Sequence, residues 1–193
     1  MPSEREQRSR TIQRGRIMKA ISTANYTLLR ASIVGMGSHI NDAEKTFNQT
    51  PLCAAAWTGN AEACRILVEE AGASLSHTGL ENGATPLIVA AELGHLDVVR
   101  YLTSLTSKVD AMRADRGNAL YTAAKMGHLD VVRYLLEEAG AHVDVPTQNG
   151  RTPILVAAQE GHVDILTYAG TGGAGLVPSA EGVEWELNGS EWN

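Results

Sequence analysis

Apolar residues in this chain recur at three- and four-residue spacing over short windows, and then the whole pattern starts again. Gly94-His95-Leu96-Asp97-Val98-Val99-Arg100-Tyr101-Leu102 returns letter for letter as Gly127 to Leu135. Looser copies begin at Gly59 and Gly161, so the leading glycines stand 35, 33 and 34 residues apart. In the best copy Leu96, Val99 and Leu102 share one helix face, Arg100 turns away from it, and Asp97 lies in the first turn, where the helix dipole favours an anion.

A second marker lies nine residues ahead of each of these glycines: Thr50-Pro51-Leu52, Thr85-Pro86-Leu87, Asn118-Ala119-Leu120 and Thr152-Pro153-Ile154. Thr or Asn caps a helix by accepting a bond from a free amide, and a proline beside it is pre-set for the first helical position. The alanines that follow favour helix and let a neighbouring backbone come close. Glycine ends the helix in the left-handed conformation that it adopts cheaply. Polar stretches containing Asn82-Gly83 and Asn149-Gly150 lead to the next Thr-Pro, and these dipeptides favour tight turns. Each unit therefore reads as helix, turn, helix, then an extended hairpin loop. Units of this length that recur in sequence stack into an array in which each shields its neighbour's apolar face.

Thr-Pro-Leu, the alanine pairs, Gly-His-Leu-Asp-Val-Val and Gly140-Ala141-His142-Val143-Asp144 resemble the ankyrin repeat at its signature positions, over about residues 37–168. The resemblance implies an all-α solenoid of helix-turn-helix units with hairpin loops. The expected organisation is a basic, unfolded arm over 1–21, an array over 22–169 and a Gly-rich acidic tail over 170–193. Within the array, 22–42 reads as a degenerate capping half repeat, followed by repeats at 43–75, 76–109, 110–143 and 144–169. Two joints depart from the family pattern. Thr106-Ser107-Lys108 stands where Gly-Ala-Asp is usual, so that helix end either strains or takes another exit; Arg116-Gly117-Asn118-Ala119 replaces Gly-x-Thr-Pro.

Composition refines this picture. With 44% hydrophobic but only 5% aromatic residues, the chain suits cores of Ala, Leu and Val. No apolar run approaches the roughly 20 residues of a membrane helix, and the first residues lack the apolar core of a secretory signal. Cys53 and Cys64 fall at core positions of one repeat and read as reduced thiols, so the expected compartment is the cytoplasm or nucleus. The net charge of −6 is unevenly spread: residues 1–20 carry six basic and two acidic side chains, whereas 170–193 carry four Glu and no base. An acidic array is a poor surface for nucleic acid. Within the arm, Ile12, Ile17, Met18 and Ile21 are spaced to form the apolar side of a short cationic helix, an address or anchor if it folds.

The sequence carries no phosphate loop, no His-Glu-x-x-His and no Gly-x-Ser-x-Gly. A Gly-x-Gly-x-x-Gly run at Gly170–Gly175 has too little chain after it for a dinucleotide unit. His95, His128 and His162 recur one per repeat and read as turn and cap residues rather than as ligands of one metal. The expectation is therefore a non-enzyme without cofactor, metal or small-molecule substrate.

What remains is recognition. The ankyrin resemblance implies a concave face built from hairpin tips and the outer side of each first helix. By register the tips are Thr46, Phe47 and Gln49; Glu81, Asn82 and Ala84; Ala114, Asp115 and Gly117; and Gln148, Asn149 and Arg151. The partner-binding candidates are Phe47, Trp57, Glu92, Leu93, Lys125, Met126, Arg151 and Gln159, with Phe47, Trp57, Leu93 and Met126 as an apolar stripe flanked by charge. The expected function is that of a scaffold, adaptor or inhibitor, a monomer that binds another protein. The alternatives are a regulatory fragment of a larger enzyme or channel, and nucleic-acid or membrane association through the basic arm.

Overall fold

The computed structural model describes residues 4–43, 49–77, 83–113 and 117–171. Among them are ten α-helices: α1 (Glu4–Ser22), α2 (Tyr26–Ile33), α3 (Pro51–Trp57), α4 (Ala61–Arg65), α5 (Pro86–Glu92), α6 (Leu96–Ser104), α7 (Ala119–Met126), α8 (Leu129–Glu137), α9 (Pro153–Gln159) and α10 (Val163–Gly170). A π turn over Ile66–Glu70 continues α4, and a 3₁₀ turn spans Gly37–Asn41. Odd-numbered helices pack in one row, α1 on α3, α3 on α5, α5 on α7 and α7 on α9, while the even-numbered ones form the second row behind them.

The start signals act as the chemistry requires. The side chains of Thr50, Thr85, Asn118 and Thr152 accept from the amides of Cys53, Ile88, Tyr121 and Leu155, each three residues on. The alanines that follow are the tightest part of the core, with Ala55, Ala90, Ala123 and Ala157 all at 0% exposure. On the second helices Val98, Val99 and Leu102 are buried, as are Val131, Val132 and Leu135. Cys53 and Cys64 are buried and not joined in a disulfide, and burial, then the neighbouring Cys53, pushes the Cys64 thiol up to about 12.

Residues 4–22 correct the expectation of an unfolded arm. They form α1, which sets Ile17, Ala20 and Ile21 into the core against α2 and α3. Of the four apolar residues that the sequence placed on one face, Ile17 and Ile21 are buried, Met18 packs beside them, and Ile12 faces outward at 66% exposure. The half repeat over 22–42 thus gains a first helix. Its turn follows the same pattern as the others: the Asn25 amide bonds the Ala20 carbonyl, as Asn60 does Ala55, His95 does Ala90, His128 does Ala123 and His162 does Ala157. Arg14 ties α1 down through an ion pair to Asp42, which also holds His39.

Ala24 stands where the other repeats carry glycine, and its φ of 49° places it in the left-handed region. That conformation costs a non-glycine residue about 1–2 kcal/mol, while glycine loses about 0.5–1 kcal/mol more backbone entropy on folding. Ala24→Gly is therefore expected to stabilise the protein by about 0.5–1 kcal/mol on balance. Urea unfolding checks this as a rise in midpoint at unchanged slope.

The joint after α6 takes another exit rather than strain. Where Gly72 and Gly140 turn left-handed and return the amides of Ala73 and Ala141 to Leu67 and Leu135, α6 unwinds in right-handed backbone at Leu105. There Leu105 and Thr106 bond back to Leu102 and Thr103, and the Thr106 hydroxyl accepts from Lys108. In the loop before α9 the Thr147 amide bonds the Arg151 carbonyl and Gly150 turns left-handed, closing a tight hairpin.

Candidate functional site

The first helices end in register. Trp57, Glu92, Lys125 and Gln159 close α3, α5, α7 and α9 or stand beside their last residue, each two residues before the glycine that turns the chain. Three of these positions share a device. The Nε2 atom of His95 lies 3.1 Å from the Trp57 carbonyl, that of His128 3.0 Å from the Glu92 carbonyl, and that of His162 2.8 Å from the Lys125 carbonyl. A carbonyl only accepts, so each ring carries its proton on Nε2 and donates backwards to the preceding repeat.

The same rings lie on the preceding glycines. A Cβ built at Gly59, Gly94 or Gly127 would come within 2.7, 2.6 and 2.6 Å of the following repeat's imidazole. The histidines therefore stand at the N-cap position but make no side-chain cap bond. The role expected of them, capping their own helix, is replaced by clamping the previous one. In the first two units asparagine retains the ordinary capping role, with Asn25 and Asn60 closing the starts of α2 and α4 through their side chains.

On this clamped edge the candidates differ in what they offer. Trp57 and Met126 are 51% and 47% exposed, large and apolar, at helix ends two repeats apart. Leu93, in the repeat between them and in register with Met126, one position beyond that of Trp57, is half-buried and packed against the core, so the stripe narrows at its centre. Glu92 pairs with Arg113 at 3.6 Å. Lys125, Arg151 and Gln159 are exposed. Phe47 lies outside the described residues, as do Thr46, Glu81, Asn82, Ala114 and Asp115. Two further tip positions are corrected: Ala84 and Gly117 are buried and belong to the packing rather than to a free surface. Both stand next to the cap of a first helix.

The second helices carry a ladder that the pattern alone did not reveal. The guanidinium of Arg65 lies over the Tyr101 ring at 5.6 Å, Arg100 over Tyr134 at 4.4 Å, and Arg133 over Tyr168 at 5.5 Å. The phenols of Tyr101 and Tyr168 donate to Glu69 and Glu137, and the Tyr134 hydroxyl meets Thr103 at 2.8 Å. Burial, then the Glu69 carboxylate, pushes the Tyr101 phenol up to about 12, so it remains a donor at neutral pH. The signal lay in the recurrence of Arg and Tyr side by side, but only stacking shows that each arginine serves the tyrosine of the next repeat.

Among the described residues no three His, Cys, Asp or Glu side chains converge as a metal site, and no helix is long and apolar enough to cross a membrane. No relative among curated proteins matches the chain. The family model for ankyrin repeats, three copies per model, matches residues 17–115 and 103–169. Repeats of this kind are in general protein-interaction modules and are not, as a rule, catalytic. The repeated Gly-His turns, the capped Thr-Pro helices and this match agree, and the chain belongs to the ankyrin repeat family.

Proposed function

We propose that the chain is a non-catalytic scaffold, adaptor or inhibitor that captures another protein along the concave edge formed by its first helices and hairpin loops. One observation carries this reading: Trp57 and Met126 project at 51% and 47% exposure from helix ends, although nothing in the fold requires large apolar side chains there. The histidine clamps fix the backbone beneath Trp57, Glu92 and Lys125, so the edge meets a partner with little ordering left to lose, which favours affinity. Exposed aromatic and methionine side chains beside charge have the composition of interface cores. Lys125, Arg151 and Gln159, with Phe47 on the sequence register alone, complete the candidate set, while Glu92 acts through its pair with Arg113 and Leu93 supports the centre.

Affinity capture with mass spectrometry, followed by a titration of the captured protein, tests the proposal. The double variant Trp57→Ala, Met126→Ala is expected to keep its helical signal and lose at least about tenfold in affinity, or about 1.4 kcal/mol. Unchanged capture would move the site away from this edge.

A further inference from the structure

The open outer side of α1 carries a row of its own. Arg8, Ile12, Arg16 and Lys19 recur at three- and four-residue spacing, all exposed, on the side of the helix opposite buried Ile17, Ala20 and Ile21. Arg14 and Arg30 nearby are engaged with Asp42, and with Glu62 and Glu70. Arg8, Arg16 and Lys19 have no ion-pair partner among the described residues. Beside the row runs a shallow groove lined by Ser9, Ile12, Gln13, Arg16, Ala31 and Ser32. Gln13 braces its far wall by donating to the Ser32 and Val34 carbonyls at 2.8 and 3.0 Å, and Val34 is 73% exposed at its end. The surface is thus a cationic stripe with two isolated apolar footholds.

We propose that this stripe seats the acidic, tryptophan-bearing segment 181–193 of the same chain. That segment brings Glu181, Glu184, Glu186 and Glu191 with Trp185 and Trp192. Its charge is opposite to that of the stripe, and its two aromatic side chains match the two footholds in kind and number. The chain can reach. Trp185 follows Thr171, the last described residue, by 14 positions, an extended span of about 45–50 Å. Thr171 closes α10 in the last unit, four interhelical steps of 8–10 Å from the first, and the outer side of α1 lies about 5–6 Å beyond its axis, about 40–45 Å in all. An anionic bilayer fits less well, because the chain's net charge of −6 opposes it and the stripe offers only single apolar side chains to a broad surface.

Tryptophan emission tests the seat in the full chain carrying Trp57→Phe, which leaves Trp185 and Trp192 as the reporters. The expected result is emission blue-shifted from that of water-exposed tryptophan. High salt and the triple exchange Arg8→Glu, Arg16→Glu, Lys19→Glu should both abolish the shift at unchanged helical content. Adding Glu184→Lys and Glu186→Lys to the reversed stripe should restore it. Emission at the water-exposed value that no stripe exchange moves would overturn the proposal. A shift that appears only as protein concentration rises would assign the stripe to the tail of a second copy and overturn the intramolecular seat. Binding of anionic vesicles through the stripe, with both tryptophans still water-exposed, would overturn it in favour of a lipid surface. None of these readouts depends on capture of a partner at Trp57, so this proposal and the proposed function stand or fall separately.

Discussion

Leu102→Asp is expected to unfold the array. Leu102 is 2% exposed, on the buried face of α6 beside Leu75, Leu87 and Ala111. The exchange removes a buried aliphatic side chain, at about 2–5 kcal/mol, and puts a carboxylate beside those same side chains, at several kcal/mol more unless it takes up a proton or meets nearby Lys108. Domains of this size hold only about 5–15 kcal/mol in total, so loss of soluble, cooperatively folding protein follows. The control lies on the same helix. Leu105, 44% exposed at the C-terminal end of α6, receives the same charge in Leu105→Asp with an expected cost of about 1 kcal/mol, mainly from the unfavourable dipole and part of its packing. Circular dichroism and urea unfolding separate the two. A Leu102→Asp protein as stable as Leu105→Asp would contradict the burial of this face in the stacked array.

That contrast was visible in the sequence, because Leu96, Val99 and Leu102 recur in Leu129, Val132 and Leu135 and a helical period admits one reading of them. The caps were equally legible, since Thr-Pro and Gly act through their own backbone or the next turn. What the sequence hid depends on contacts between units. The periodic histidines announced that they mattered, but not that each imidazole reaches back 36 to 38 residues to a carbonyl of the previous helix. The first helix was masked by its composition: six basic residues in the first twenty suggested a segment too polar to pack, and Ala24 had removed the glycine that marks the turn. The spacing of 35 between Ala20-Asn25 and Ala55-Asn60 was the remaining signal. For the binding edge the register of Trp57 and Met126 could be read, whereas the burial of Ala84 and Gly117 could not, because a turn pattern fixes backbone and not what packs over it.

Gly94→Ala is expected to destabilise the protein by about 1.5–2 kcal/mol, well beyond the loss at a matched position. At Gly94 φ is +71°, and a Cβ would stand 2.6 Å from Nδ1 and 2.8 Å from Cε1 of His128. A left-handed alanine, offset by the backbone entropy that glycine loses on folding, accounts for about 0.5–1 kcal/mol, and the rest follows when the ring lifts from its seat and gives up its bond to the Glu92 carbonyl, worth about 1 kcal/mol. Gly161 supplies the comparison: φ is +78°, nearly the same, but nothing described lies within 4 Å of its Cβ position. Among the described residues nothing fills the equivalent seat on the last unit, where Leu155 and Val163 are 38% and 69% exposed. Gly161→Ala should therefore carry only the backbone cost. The excess at Gly94 isolates the clamp, and in a double-mutant cycle it should largely vanish in a His128→Ala background, where no ring remains to be displaced. Equal losses at Gly94 and Gly161 would mean that the imidazole rests on the glycine without holding the two units together, and the rigid edge beneath Trp57, Glu92 and Lys125 would then need another cause.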